Sequence, residues 1–357
     1  MVLVVLGGIF LSSKVCLADT FETRVTKVIE DKTIEIDGVK QPDQKLELTI
    51  TRGDLKDRKI IVENGNIPVA NVVRYKLNDR LMVNRQKDPT GRDVFNIVDF
   101  IRTDTIYLLL IIFIAATILI AQLKGVLSLL SVGVTFGIIF WIILPQLSAG
   151  TNPVVVAIIG SILIIPITFY LSHGLNKKTS VAIGGTLISL IVTGILASLF
   201  INIGKLNGFS SEEAGLLATI KQGAINMKGL LLAGIVIGAV GVLDDITISQ
   251  AAIVEQLSQA NEKLKFRELY NRAMKIGRDH ITSMVNTLIL VYAGASLPLL
   301  LIFIDNPHPI SEIINLEFIA EEITRTLVGS IGLILAVPIT TLIACVVFKK
   351  LKIHKRS

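Results

Sequence analysis

Charge is scarce in this sequence. Only 18% of its 357 residues are Asp, Glu, Lys or Arg, where a water-soluble globular protein carries about 25%. Together with a mean hydropathy of +0.68, that deficit excludes a soluble enzyme, a coiled coil and a disordered hub. Cysteine is nearly missing too. Cys16 and Cys345 both stand in apolar stretches, so no disulfide framework is implied. The histidines, His173, His280, His308 and His354, are too scattered for zinc-like spacing. G-x-x-x-x-G-K-[ST], H-E-x-x-H and G-x-S-x-G are all absent, which removes P-loop nucleotide hydrolysis, a zincin and a nucleophile elbow. No cofactor is implied, and the reading is of a non-enzyme.

What charge there is lies unevenly. Residues 19–104 hold 16 basic and 16 acidic side chains, half of the chain's total, and the remainder reads as long apolar runs. The chain is therefore a polytopic α-helical membrane protein with a small polar domain attached. Residues 2–13 form an apolar stretch of signal-peptide length, followed by the small-residue site Cys16-Leu17-Ala18. Residues 1–18 are read as a signal peptide or an uncleaved signal anchor; either exports the polar domain behind it.

The polar domain, 19–104, alternates Val, Ile, Thr and Leu with charges. Strands are expected over Arg24–Glu30, Lys45–Arg52, Lys59–Glu63, Arg80–Asn84 and Val94–Phe100, with Asp-Gly, Gly-Asp and Asn-Gly between them. Five short strands in that length suggest an extracytoplasmic β domain, a small barrel of OB or SH3-like type. No aromatic platform accompanies its basic residues, so nucleic acid is not among the expected partners.

Apolar runs at approximately 105–122, 125–144, 153–172, 179–203, 281–304 and 327–348 reach the length of a bilayer core, and a shorter one lies near 229–243. About seven transmembrane helices are thus expected over 105–348, followed by a basic tail, 349–357. With the polar domain outside, 14 basic residues fall on the cytoplasmic side, among them Lys124, Lys177, Lys178 and Lys349. The outer loops between spans hold four, Lys205, Lys221, Lys228 and Arg325. The positive-inside rule agrees. The reading is a bacterial plasma-membrane protein with the N-terminal domain outside and the C-terminus cytoplasmic. An outer run with Glu317, Glu321 and Arg325 on one helical face is either a solvated stripe or an acidic mouth that attracts cations.

Chemistry is expected near the fifth span. From Gly229 to Leu243 run 15 uncharged residues, about 22 Å of helix, after which come Asp244 and Asp245. No Gly or Pro follows to stop the helix, so Ile246, Ile248, Ile253 and Val254 could carry it onward. Acidic side chains so close to hydrocarbon are expensive, which makes the pair a candidate ion or proton relay. The competing reading is that one of them caps a separate amphipathic helix over Ile246 to Ala260, lying along the membrane surface. His280, Ser283, Asn286 and Thr287, at the start of the next span, are candidate polar lining, with interhelical hydrogen bonding as the alternative. Gly234, Gly238 and Gly241 are candidate helix-packing positions, and Pro338 is expected to kink the last span.

Four stretches carry a resemblance. They are Gly208-Phe-Ser-Ser-Glu-Glu-Ala214; Gly238-Ala-Val-Gly-Val-Leu-Asp-Asp-Ile-Thr247; Ile276-Gly-Arg-Asp279 leading into Asn286-Thr-Leu-Ile-Leu-Val-Tyr-Ala-Gly294; and Glu317-Phe-Ile-Ala-Glu-Glu322 with Gly329-Ser-Ile-Gly332. On these the chain resembles the YibE/F-like family of bacterial multi-pass membrane proteins, most specifically over 208–340. The resemblance implies an exported N-terminal region, about seven spans and a transporter role, and it brings no catalytic residues. The function expected is a permease or channel-like transporter of an ion or small solute. The alternative is a non-transporting scaffold or sensor whose exported domain binds an envelope protein. Beyond the bilayer, the partners considered are such an envelope protein or further copies of the chain.

Overall fold

The computed structural model describes residues 20–36, 39–65, 72–305 and 309–353. The segment read as a signal or anchor, Cys16, His308 and His354 lie outside the described residues. The chain divides into two compact units, one up to Phe113 and one from Ile114 onward.

The first unit is a five-stranded antiparallel sheet: β1 Thr20–Ile36, β2 Val39–Arg52, β3 Lys59–Asn64, β4 Arg80–Lys87 and β5 Asp93–Phe100, in the order β3-β2-β1-β4-β5. All five expected strands are present. β1 and β2 run longer than expected because they zip into one hairpin, from Glu22 opposite Arg52 to Ile36 opposite Val39. The alternation that marked the strands sorts their faces. In β3, Ile60 and Val62 point in while Lys59, Ile61 and Glu63 point out. Val25, Leu46, Leu48, Ile50, Leu81 and Val83 make a fully buried core, with Phe21 and Phe95 edge to face at its margin. Two buried polar side chains there are satisfied: Thr23 donates to the Leu81 carbonyl at 2.9 Å, and the Gln44 amide pairs with both backbone groups of Tyr75. β3 and β5 end the hydrogen-bonded order, yet they touch each other.

The helices are α1 Thr103–Ser148, α2 Pro153–His173, α3 Lys177–Ile203, α4 Glu212–Ile220, α5 Met227–Ala260, α6 Phe266–Ala295, α7 Leu297–Asp305, α8 Ile310–Asn315 and α9 Glu317–Ile353. Asparagine starts three of them. The side chains of Asn152, Asn176 and Asn226 accept from the backbone N–H of Val154, Thr179 and Gly229 at 2.9–3.0 Å, satisfying donors that the first helical turn leaves open. Five helices, α1, α2, α3, α5 and α9, are long and apolar enough to cross a membrane.

That count differs from the expected seven at two places. The first two expected spans lie within α1, which is broken at Gln122 (φ 51°, ψ −132°). A Cβ on Gly125 would stand 2.5 Å from the Thr117 carbonyl oxygen, whereas eight residues of straight helix span about 12 Å. The chain therefore bends back sharply there. The sixth expected span is divided between α6 and α7 at Ser296. Pro298, in the first turn of α7, has no N–H to bond back into α6 and suits the opening turn of a new helix.

α3, α5 and α9 form the centre of the second unit. Each of α3 and α9 carries a buried ladder of small residues at four-residue spacing: Gly185, Ser189, Thr193 and Ala197 on one, Gly332, Ala336, Thr340 and Ala344 on the other. The ladders face each other in reciprocal, antiparallel fashion. A Cβ added to Gly185 would lie 2.2 Å from Thr340 Oγ1, and one added to Gly332 would lie 2.1 Å from Thr193 Oγ1. Glycine is required at both points for the backbones to come this close.

Candidate functional site

α5 passes Asp244 and Asp245 without interruption and ends sixteen residues beyond Asp244, at Ala260. Neither acid caps a second helix. The stretch expected to lie on the membrane surface is instead packed inside, with Ile246, Ala251 and Val254 fully buried. This continuity also changes the depth of the acids. Gly229 stands against Pro153 of α2, and Asp244 is fifteen residues on from Gly229, as Thr168 is from Pro153. Across the bundle, Thr247 meets Thr186 of α3, which sets Asp244 level with Ser189, near the midpoint of that helix. The acid therefore lies within the length of the neighbouring spans rather than at their ends. Asp244 is half-buried and its Oδ1 has no hydrogen-bond partner among the described residues, while Asp245, one step round the helix, is exposed. Asp245, Lys178 and Lys124 all lie within electrostatic reach of His173.

Beside Asp244 runs a seam of buried polar side chains. Thr186 Oγ1 and Thr247 Oγ1 are 2.7 Å apart, joining α3 to α5. Thr247 also bonds the carbonyl oxygens of Leu243 and Asp244. One turn further, the fully buried Gln250 donates from Nε2 to Thr341 Oγ1 on α9 at 2.7 Å and to the Ala273 carbonyl on α6 at 3.2 Å. A single amide thus ties three helices together. Gly277 of α6 sits where a Cβ would press on Gln250 and on Val337, beside Pro338 within the continuous helix α9. Gln250 Oε1 and Thr340 Oγ1 are buried without hydrogen-bond partners among the described residues. Sequence reasoning missed this seam. Its trace was present as Thr186, Ser189 and Thr193 at helical spacing in one span and Thr340 and Thr341 in another.

The remaining candidate residues sit elsewhere. Ser283, Asn286 and Thr287 on α6 are exposed and His280 is half-buried; Thr287 returns its hydroxyl to the Ser283 carbonyl at 3.0 Å. Gly234, Gly238 and Gly241 lie on an exposed stripe of α5 that continues to Asp245, with nothing within 4 Å of a Cβ placed on any of the three glycines. The tight helix crossings are made by Gly185, Gly277 and Gly332 instead.

At the far end of α5 from Ala260, two of the four motif stretches meet. Glu317 accepts from the backbone N–H of Asn207, and Glu321 from the Ser210 hydroxyl, both at 2.5 Å. Gly208 takes φ +82° with a Cβ position 2.4 Å from the Met227 carbonyl oxygen, a place no side chain fits. Glu321 is 4% exposed, and Glu322 pairs with Arg325 at 2.8 Å. These carboxylates hold a loop to α9. Among the described residues no three His, Cys, Asp or Glu side chains gather as metal ligands would.

Compared with known proteins, the chain matches one family model, described as YibE/F-like protein, over residues 109–350. The match takes in α2 through α8 whole and most of α1 and α9, and leaves the β sheet outside it. No curated protein and no solved structure matches the chain.

Proposed function

The chain thus belongs to the YibE/F-like family of membrane proteins, and from that premise we propose that it is a permease or channel-like protein for an ion or small solute, with Asp244 as the relay and Asp245 as its outlying partner. The observation that carries this reading is Asp244 itself: an acidic side chain level with the middle of α3, half-buried, with one oxygen unbonded among the described residues. A carboxylate within a membrane span is costly. Unlike Glu321, which also leaves one oxygen unbonded but accepts from Ser210, Asp244 makes no side-chain hydrogen bond among the described residues. The seam of Thr186, Thr247, Gln250 and Thr341 supports it by supplying polar groups alongside. His280, Ser283, Asn286 and Thr287 join the path in this reading only if a further copy of the chain covers that face of α6.

The topology that accompanies this proposal has seven crossings in the plasma membrane: both halves of α1 about Gln122, then α2, α3, α5, the α6–α7 run and α9. The β domain, read as a half-open barrel of OB or SH3-like type because β3 and β5 approach, is outside, and the C-terminus is cytoplasmic. The basic residues support that orientation. No enzymatic step is proposed, and the partners are the bilayer with an envelope protein or further copies of the chain. Asp244→Asn in purified protein reconstituted into liposomes is expected to abolish solute-dependent flux with insertion unchanged. Flux equal to that of the parent protein rejects the relay.

A further inference from the structure

Two cavities on the helical unit share one residue. The larger, about 830 Å³, is a trough between α2 and α3 floored by Leu232 and Val236 of α5. Ile158 and Ile162 form one wall and Ile191 and Ile195 the other, and of all the side chains lining the trough only those of Ser198 and Asn202 are polar. The smaller, about 510 Å³, begins at the same Asn202 and is lined by Lys205, Asn207, Asn226 and Lys228. An apolar trough and a pocket carrying two lysines and three asparagines thus lie on either side of Asn202, the smaller one lined also by Leu206, Phe209 and Met227.

The two lysines are conspicuous because the other basic residues at this end are engaged. Lys221 donates to the Ser148 carbonyl and hydroxyl, and Arg325 is paired with Glu322. Lys228 Nζ reaches only the neutral Asn202 Oδ1, at 2.7 Å. Neither Lys228 nor Lys205 has a carboxylate partner among the described residues. Lys205 takes the left-handed φ of 53° that ends α3, with the Leu206 N–H bonding back to the Ile201 carbonyl. A ligand that satisfies this arrangement has an aliphatic tail for the trough and an anionic head for the lysines.

We propose that this trough and the adjoining pocket together bind an anionic phospholipid from the surrounding leaflet. One acyl chain lies along Ile158, Ile162, Ile191 and Ile195, and the phosphate sits between Lys205 and Lys228 with Asn202 at the junction. The trough's size falls within the range of about 300–1,000 Å³ usual for ligand sites, and its apolar walls open toward the hydrocarbon. A lysine beside an anionic lipid is worth about fivefold in affinity. The assignment is independent of whether the chain transports anything.

The test uses the full-length protein in detergent, titrated with phosphatidylglycerol or phosphatidylcholine of equal chain length and read by native mass spectrometry. The parent protein is expected to retain phosphatidylglycerol about 30-fold more strongly than phosphatidylcholine. Lys205→Gln with Lys228→Gln is expected to erase that preference while leaving phosphatidylcholine binding in place. Ile195→Trp, at a position 64% exposed and so tolerant of bulk, is expected to weaken retention of both lipids by filling the trough. Equal retention of the two lipids by the parent protein overturns the proposal and needs no variant to fold. Competition by glycerol phosphate as effective as that by phosphatidylglycerol also overturns it, since the site would then be one for a free phosphate.

Discussion

The two units of this chain solve the same burial problem in opposite solvents. In the β domain the inward positions are Val25, Leu46, Leu48, Leu81 and Val83, and the outward ones are largely charged, paired as Lys45 with Glu63 or Lys59 with Glu47. In the helical unit leucine and isoleucine lie on both sides. Leu119 and Ile120 are more than 80% exposed, while Thr186, Ser189, Thr193, Thr247, Gln250, Thr340 and Thr341 are buried. Water drives apolar side chains inward in the first unit. Lipid provides no such drive between helices, so the second is held by close backbone approach and by interhelical hydrogen bonds.

Replacing a leucine in each unit tests that contrast most directly. Leu48→Ala is expected to destabilise the β domain by about 2–5 kcal/mol, read as faster amide exchange across 20–65 in the full-length protein. Leu119→Ala should leave the thermal midpoint in detergent unchanged; a comparable loss would mean that another protein surface, rather than lipid, covers that face of α1. Next in size is the reciprocal glycine crossing. Gly185→Ala forces Thr340 aside and is expected to cost about 1–3 kcal/mol of helical-unit stability. The double variant Gly185→Ala/Thr340→Ala should lose less than the sum of its parts, because removing Oγ1 relieves the contact.

Smaller still is the amide clasp. Gln250→Leu removes two interhelical hydrogen bonds, each worth about 0.6 kcal/mol and at most about 1.7. A modest fall in midpoint is expected, with no change in the β domain. The least effect comes from the exposed ion pairs of the sheet. Asp88 is held below its ordinary pKa by the Thr90 hydroxyl and the Arg92 backbone N–H, and Asp99 by Arg102. Carboxylates lowered in the folded state contribute stability that is complete above the unfolded value, about 3.9 for Asp, and is lost as pH falls through the folded one. The protection of β-domain amides, taken relative to the intrinsic exchange rate at the same pH, should fall slightly below about pH 4, and Asp99→Asn should flatten that response. Being on the surface, these pairs are weak and salt-sensitive.

How much was legible beforehand follows from the same contrast. The strands could be read where one wet face and one dry face imprint a two-residue period, as in Lys45-Leu46-Glu47-Leu48-Thr49-Ile50. The apolar runs were equally plain, but not their endings. That α5 could carry on through Asp244 and Asp245 was open from the lack of Gly or Pro after them. It was not separable from a second, surface helix, because the burial of Ile246, Ala251 and Val254 against neighbours cannot be seen in a local pattern. The glycines that looked like packing positions, Gly234, Gly238 and Gly241, lie on an exposed stripe, and Gly185, Gly277 and Gly332 make the crossings. In a helix apolar on every side, periodicity does not say which side faces protein.

The sequence by itself determined the medium of each part of the chain, because length, charge and hydropathy act residue by residue: a charged, alternating domain and a set of membrane-length apolar helices. Only the tertiary structure decided which polar groups those helices enclose and how deep Asp244 lies. Both depend on the register between helices distant in the chain, fixed at a few points where Gly185 admits Thr340, Gly332 admits Thr193 and Gln250 reaches Thr341.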